Sequence, residues 1–264
     1  MRVTFLGTGT SHGIPVIGCE CAVCCSPDPR NRRLRPAVWV ETAGTSLLID
    51  VPPDFRQQAL RERIAKVDAV LLTHSHADHF LGLDDLRVFT CKQGQKMPIY
   101  GSAQTVADVQ RVFFYAMHER PTYPTLPNFG VNVLEPDQAY VIGDLPVRTV
   151  ELPHGRSRVL GFVFGRAFAY LTDCHAVPPP IIESLQGVRV LALDALRVRS
   201  HPAHLTLAQA REIAEQVGAE LTFFTHMNHE TDHATAEAAM PAQIRLAYDG
   251  LQLEINETTV TKLA

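Results

Sequence analysis

Short apolar runs recur along the chain at intervals too close for a bundle of long helices. Residues 2–7 (RVTFLG), 37–42 (AVWVET), 46–51 (SLLIDV), 68–74 (DAVLLTH) and 98–101 (PIYG) make up the first series. Residues 140–144 (YVIGD), 147–153 (VRTVELP), 160–165 (LGFVFG), 168–173 (FAYLTD), 188–196 (VRVLALDAL), 221–226 (LTFFTH) and 251–255 (LQLEI) continue it. Their length, β-branched and aromatic content, and bounding Gly, Pro and Asp residues mark them as strands. Two stretches carry helical spacing instead, 103–117 (AQTVADVQRVFFYAM) and 206–219 (TLAQAREIAEQVGA), the second closing on Gly218 as a C-cap. Asp249-Gly250, between two apolar runs, predicts a tight hairpin turn.

Strands with interspersed helices, and no repeat or linker, point to one domain over residues 1–264, of α+β or α/β class. Polar residues at the strand ends are expected to face a shared cleft. The proline-rich stretch 119–130 (ERPTYPTLPNFG) is the candidate loop or lid over it.

An apolar content of 46% is ample for a core without disulfides. The first residues lack the apolar run of a signal peptide, and no stretch approaches the roughly 18 to 20 apolar residues of a membrane span. The expectation is a cytoplasmic protein without a membrane partner. A net charge of -4 gives no whole-chain attraction for nucleic acid. The basic stretch PRNRRLRP (Arg30, Arg32, Arg33, Arg35) is read as a solvated loop, with anion binding the alternative.

The chemistry concentrates in LLTHSHADHFLGL. An apolar strand runs into His74, His76, Asp78 and His79, which together exceed the needs of one tetrahedral metal that keeps a position open for water. Two metals are implied. Three further residues follow apolar runs in matching contexts: His154 in VELPHG, Asp173 in AYLTD and His226 in FFTH. Mixed imidazole and carboxylate ligation suits Zn²⁺ or Mn²⁺.

This pattern, H-x-H-x-D-H and then a lone His, a strand-end Asp and a final His, resembles the metallo-β-lactamase superfamily of binuclear hydrolases. FLGTGTSHGIP at the start, LLIDVPPDF with Asp50, and AYDGLQLEI near the end extend the resemblance over nearly the whole chain. It implies a four-layer αβ/βα sandwich with the metals between the sheets. His74, His76 and His154 would hold the first metal, Asp78, His79 and His226 the second, and Asp173 would bridge them. A bridging hydroxide would be the nucleophile, and Asp50 would orient ligands and water.

Within the superfamily, His204 in SHPAHLTLAQA falls where the phosphodiesterase branch places a general acid or phosphate ligand; with Asp78 it makes up the catalytic pair, and neighbouring His201 competes for the role. His12, in the loop GTSHG, is the candidate substrate contact. Transfer-RNA 3'-end nucleases, thioesterases and a non-hydrolytic biosynthetic accessory or binding protein are the alternatives. Nucleic acid is disfavoured by the acidic charge and the absence of a long basic insertion.

Near the amino terminus, GCECAVCC spaces Cys19, Cys21 and Cys24 for three-quarters of a tetrahedral zinc site. The cluster is similar to that of the PhnP-type phosphodiesterases, which also have a second His at the offset of His229. That resemblance implies a structural zinc on Cys19, Cys21, Cys24 and His229, clamping a loop at about 18–35. It also implies a small, cyclic sugar or nucleotide phosphate as substrate, and a homodimer. Cys25, Cys91 and Cys174 have no assigned role.

Overall fold

The computed structural model describes residues 1–117, 125–256 and 258–263. Half of the candidate lid at 119–130, residues 119–124, lies outside the described residues, and its last two residues, Phe129 and Gly130, open a strand.

Two mixed sheets stack face to face. The strands of the first are β1 (Arg2–Gly7), β2 (Ala37–Glu41), β3 (Ser46–Ile49), β4 (Ala69–Leu71), β5 (Met97–Gly101), β6 (Phe129–Val133), β14 (Gln252–Ile255) and β15 (Val260–Lys262), in the order β15-β14-β1-β2-β3-β4-β5-β6. The second contains β7 (Ala139–Ile142), β8 (Leu145–His154), β9 (Ser157–Phe164), β10 (Phe168–Leu171), β11 (Val190–Asp194), β12 (Leu221–Thr225) and β13 (Ile244–Leu246), in the order β13-β12-β11-β10-β9-β8-β7. Pairing in each sheet is antiparallel at one side and parallel at the other, the change falling at β3 in the first and at β10 in the second. The parallel strands read as unbroken apolar runs because both of their faces are covered.

Three apolar layers account for that burial. Val3, Phe5, Val38, Val40, Leu47 and Ile49 pack between the sheets against Phe162, Phe164, Phe168, Tyr170 and Phe223. On the outer face of the first sheet, Leu48, Val70 and Ile99 meet Phe55 of α1 (Phe55–Glu62), Phe89 of α3 (Arg87–Gln93) and Val109 of α4 (Ala103–Val112). On the outer face of the second, Leu171, Leu191 and Leu193 meet Ile182 of α5 (Pro179–Leu185) and Ala210 and Ala214 of α6 (Leu207–Val217). Helix, sheet, sheet, helix is the four-layer order that the resemblance implies.

Helix α6 starts on a capping box: Thr206 accepts from the Gln209 amide, and the Gln209 side chain accepts from the Thr206 amide. It ends on Gly218 at φ +65°. Helix α4 stops at Val112, short of the expected end, and Phe114–Ala116 continue as a single 3₁₀ turn.

The turn at Asp249-Gly250 corrects the hairpin expectation. It joins β13, which pairs with β12 in the second sheet, to β14, which pairs with β1 in the first. The chain crosses between sheets here instead of folding back. Asp249 makes the crossing rigid by accepting from the Thr8 amide at 2.9 Å, the Thr8 hydroxyl at 2.8 Å and the Leu34 amide at 2.7 Å.

Candidate active site

The carboxyl-terminal ends of β3, β4, β10, β11 and β12 open along one rim of the sandwich, the usual location of ligand sites in parallel sheets. Asp50 follows β3, Asp173 lies just beyond β10, and His226 follows β12. All three adopt left-handed backbone, with φ of +62°, +56° and +61°. Non-glycine residues hold that conformation only where the surroundings enforce it, and such residues gather at functional sites.

His76 N-caps the short helix α2 (Ala77–Phe80), which carries Asp78 and His79. The Val51 amide donates to the His79 carbonyl at 2.7 Å, and the Gly82 amide to the Val51 carbonyl at 2.9 Å. A Cβ on Gly82 would lie 1.9 Å from the Pro52 carbonyl oxygen, so only glycine lets α2 dock here.

The ligand-type atoms of His74, His76 and His154 lie within 4.8 Å of one another, as do those of Asp78, His79 and His226, and those of His74, His79 and Asp173. Asp173 therefore stands between the two trios. Its Oδ2 lies 3.3 Å from His79 Nε2, and its Oδ1 lies 3.3 Å from His226 Nε2 and 4.0 Å from His154 Nε2.

Protein oxygens hold the other ring nitrogens. His79 Nδ1 donates to Asp50 Oδ2 at 2.7 Å. The Thr73 hydroxyl, itself donating to Asp50, takes His74 Nδ1 at 3.0 Å. The Ala203 carbonyl accepts from His154 Nδ1 at 3.0 Å. These bonds leave Nε2 of each ring facing the cluster, where that of His154 lies 3.4 Å from His76 Nδ1.

The donor set fits divalent metal. The Nε2 atoms of His74, His79 and His226 are buried, converge, and have no hydrogen-bond partner among the described residues. Buried polar atoms are normally paired, and the exception here is three imidazoles around a carboxylate. Burial alone would push the His79 ring towards neutrality, but Asp173, Asp50 and Asp78 overcome it and hold its pKa well above the ordinary range. His74, farther from that excess of carboxylate, is driven well down by burial. The cluster is a cation well.

His204 borders this cluster. Its Nδ1 donates to Asp194 Oδ1 at 3.2 Å, its Nε2 lies 3.9 Å from Asp173 Oδ1, and its ring stacks on His226 at 4.8 Å. Burial lowers its pKa, the Asp194 carboxylate raises it, and the net direction is upward. Asp194, the last residue of β11, also accepts from the Leu205 amide at 2.8 Å. It was missed by sequence reasoning, although it carries the same signal as Asp173: an aspartate closing an apolar run. His12 stands exposed on the turn after β1.

Cys19, Cys21 and Cys24 place their Sγ atoms 3.2, 3.6 and 3.6 Å from His229 Nδ1. The Cys24 amide donates to Cys21 Sγ and holds the Cys21 pKa down to about 7, while burial pushes Cys24 up to about 11. Cys25 is exposed and Cys174 buried.

The basic stretch beside this cluster is solvated only in part: Arg32 is exposed and Arg30 and Arg35 are half-buried, but one arginine departs from that reading. Arg33 is fully buried. Its guanidinium donates to the Asn228 carbonyl at 3.1 Å and the Thr231 carbonyl at 2.8 Å, on either side of His229. Arg30 pairs with Asp28 at 2.7 Å and Arg35 with Asp54 at 2.9 Å. A run of four arginines looks like surface in sequence because the carbonyls that consume Arg33 lie nearly two hundred residues away.

This sandwich with a His/Asp cluster suited to divalent metal on its rim defines a class. Residues 45–227 match the Beta-lactamase superfamily domain, and the chain belongs to the metallo-β-lactamase superfamily of hydrolases. Within that superfamily it belongs with the PhnP family: it is 42% identical to a crystal structure described as a new diphosphatase of that family, with a TM-score of 0.89 over 97% of this chain and 98% of the other. An octanoyltransferase of Porphyromonas gingivalis is 38% identical over 260 residues. That match takes in 97% of this chain but 52% of the other, so the chain spans about half the length of this curated relative. A coenzyme PQQ synthesis protein B of Methylobacterium radiotolerans is 29% identical over 228 residues, 74% of this chain and 72% of that protein.

Proposed function

We propose that the protein is a binuclear metal-dependent phosphodiesterase acting on a small, cyclic sugar or nucleotide phosphodiester. The observation that carries this reading is the Asp194–His204 pair. A protonatable imidazole, oriented by a buried carboxylate, lies beside the carboxylate shared by both ligand trios.

His74, His76 and His154 would hold one metal, Asp78, His79 and His226 the other, and Asp173 both. Zn²⁺ or Mn²⁺ there would polarise phosphoryl oxygens and lower the pKa of bound water. The protein does the rest. Asp50 and Thr73 fix the rings of His79 and His74. His204 donates a proton from Nε2 to the departing alkoxide, and Asp194 stabilises the imidazolium before transfer. A phosphodiester needs such an acid because an alkoxide leaves poorly.

The cysteine cluster would hold a structural zinc on Cys19, Cys21, Cys24 and His229. Three thiols and an imidazole in mutual reach satisfy a closed tetrahedral site. This would tie the amino-terminal loop to the segment just after His226. A small-molecule substrate accords with the acidic net charge and the internal pairing of Arg30, Arg33 and Arg35.

The test is hydrolysis by zinc- or manganese-loaded protein. Bis(p-nitrophenyl) phosphate should be cleaved and a thioester should not; the reverse pattern removes the phosphodiesterase reading, and cleavage of precursor transfer RNA would favour the nuclease alternative.

A further inference from the structure

The segment between β11 and α6 carries a second histidine, His201, whose ring centroid lies 5.0 Å from that of His204. The two rings are mounted differently. His204 Nδ1 faces a carboxylate, whereas His201 Nδ1 accepts a hydrogen bond from the Ala203 amide at 3.2 Å. A backbone N–H can only donate, so His201 Nδ1 carries no proton. The ring is therefore the neutral tautomer with its proton on Nε2, and that atom has no partner among the described residues.

Ala203 works in both directions. Its carbonyl takes the Nδ1 proton of His154, and its amide occupies Nδ1 of His201. One peptide segment thus sets opposite tautomers on two rings that flank His204. The mount is stiff: Arg197 Nε donates to the Arg199 carbonyl at 3.1 Å and Arg197 Nη2 to the Ser200 carbonyl at 2.9 Å, bracing the chain just before His201. His201 is half-buried, and burial, followed by His204 and Arg197, lowers its pKa, in keeping with a ring that stays uncharged.

We propose that His201 is a substrate-binding residue: the fixed Nε2–H donates to an anionic oxygen of the bound phosphodiester beside the general acid, and the ring takes no part in proton transfer. This settles the competition between the two histidines by geometry. A ring whose Nδ1 is occupied by a backbone donor cannot be steadied as an imidazolium, and one whose Nδ1 faces a buried carboxylate can. The inference rests on the phosphodiesterase reading of the same site.

The experiment has two arms, both on zinc-loaded protein. In the first, long-range ¹H–¹⁵N NMR identifies the tautomer of His201, assigned by its loss in H201Q, and follows it during titration with inorganic phosphate. The expected result is an unprotonated Nδ1 and an Nε2–H that shifts with phosphate; a protonated Nδ1, or a signal that ignores phosphate, overturns the proposal. In the second, H201A should raise KM for bis(p-nitrophenyl) phosphate roughly ten-fold, the loss of one hydrogen bond to a charged group, with kcat changed by less than about two-fold. Metal content and the alkaline limb of the pH profile should be unchanged. H201Q, whose side-chain amide also donates, should recover part of the KM. A collapse of kcat at unchanged KM, or no change in either constant, overturns the role. If wild-type protein cleaves only a thioester, the phosphodiesterase reading fails by itself, and the phosphate titration still judges His201.

Discussion

Asp194 accepts the Nδ1 proton of His204 at 3.2 Å and lies 3.6 Å from Nδ1 of His226, so one carboxylate steadies both the proposed acid and a proposed metal ligand. H204A is expected to lower kcat about 10²- to 10⁴-fold while keeping its metals. D194N should lower kcat and also weaken metal retention, because it acts on both rings. Metal analysis beside steady-state kinetics checks this; D194N with full metal and full turnover would contradict it.

Among the described residues, Asp50 reaches the cluster through Thr73 and His79. D50N replaces the charged acceptor behind His79 Nδ1 with a neutral amide that has one acceptor oxygen instead of two, and should weaken metal affinity about 10- to 100-fold, as disturbing the partner behind a ligating imidazole generally does. Competition with a chromophoric chelator gives the number. Unchanged affinity would mean that His79 is held by its helix alone.

C21S and H229A should each lose one zinc equivalent per chain by elemental analysis. They should also unfold earlier on heating, since a structural zinc contributes to folding stability on the order of several kcal/mol. Identical metal counts in wild type and both variants would rule out the clamp.

Asp249 makes stability depend on pH. Burial pushes its carboxyl up to about 6 against the opposing hydrogen bonds from Leu34 and Thr8 and the charge of Arg61. The folded state therefore keeps a proton that the unfolded chain loses near pH 4. Its contribution is present in full below that pH and is lost as pH rises through about 6. The total is on the order of 3 kcal/mol. The stability of wild type minus that of D249N should fall by this amount between pH 4 and 7, measured by urea unfolding; a flat difference would show the carboxyl is unshifted.

The metal-type residues were legible in sequence because each ends an apolar run, and parallel strands bring such ends to one rim. Asp194 carried the same signal but lay inside VRVLALDAL, where continuing hydrophobicity hid the strand end. Arg33 and Asp249 were misread for a common reason. Their partners, Thr231 and Thr8, are far away in sequence, and local charge or turn chemistry does not say which distant backbone will consume a buried polar group. Helix α1 (FRQQALRE) escaped notice because few of its positions are apolar and only Phe55 and Gln58 are buried.

The two ligand trios also differ in when they become available. His74, His76 and His154 all precede residue 155, the first two in the segment between β4 and α2 and the third at the end of β8, whereas the second trio needs His226. A ribosome that has released the first 160 residues has exposed one complete histidine trio but neither the shared Asp173 nor the clamp residue His229. On the proposed ligand assignment, the chain therefore completes its two sites in a fixed order, and the second would have to wait for β12 to pair with β11.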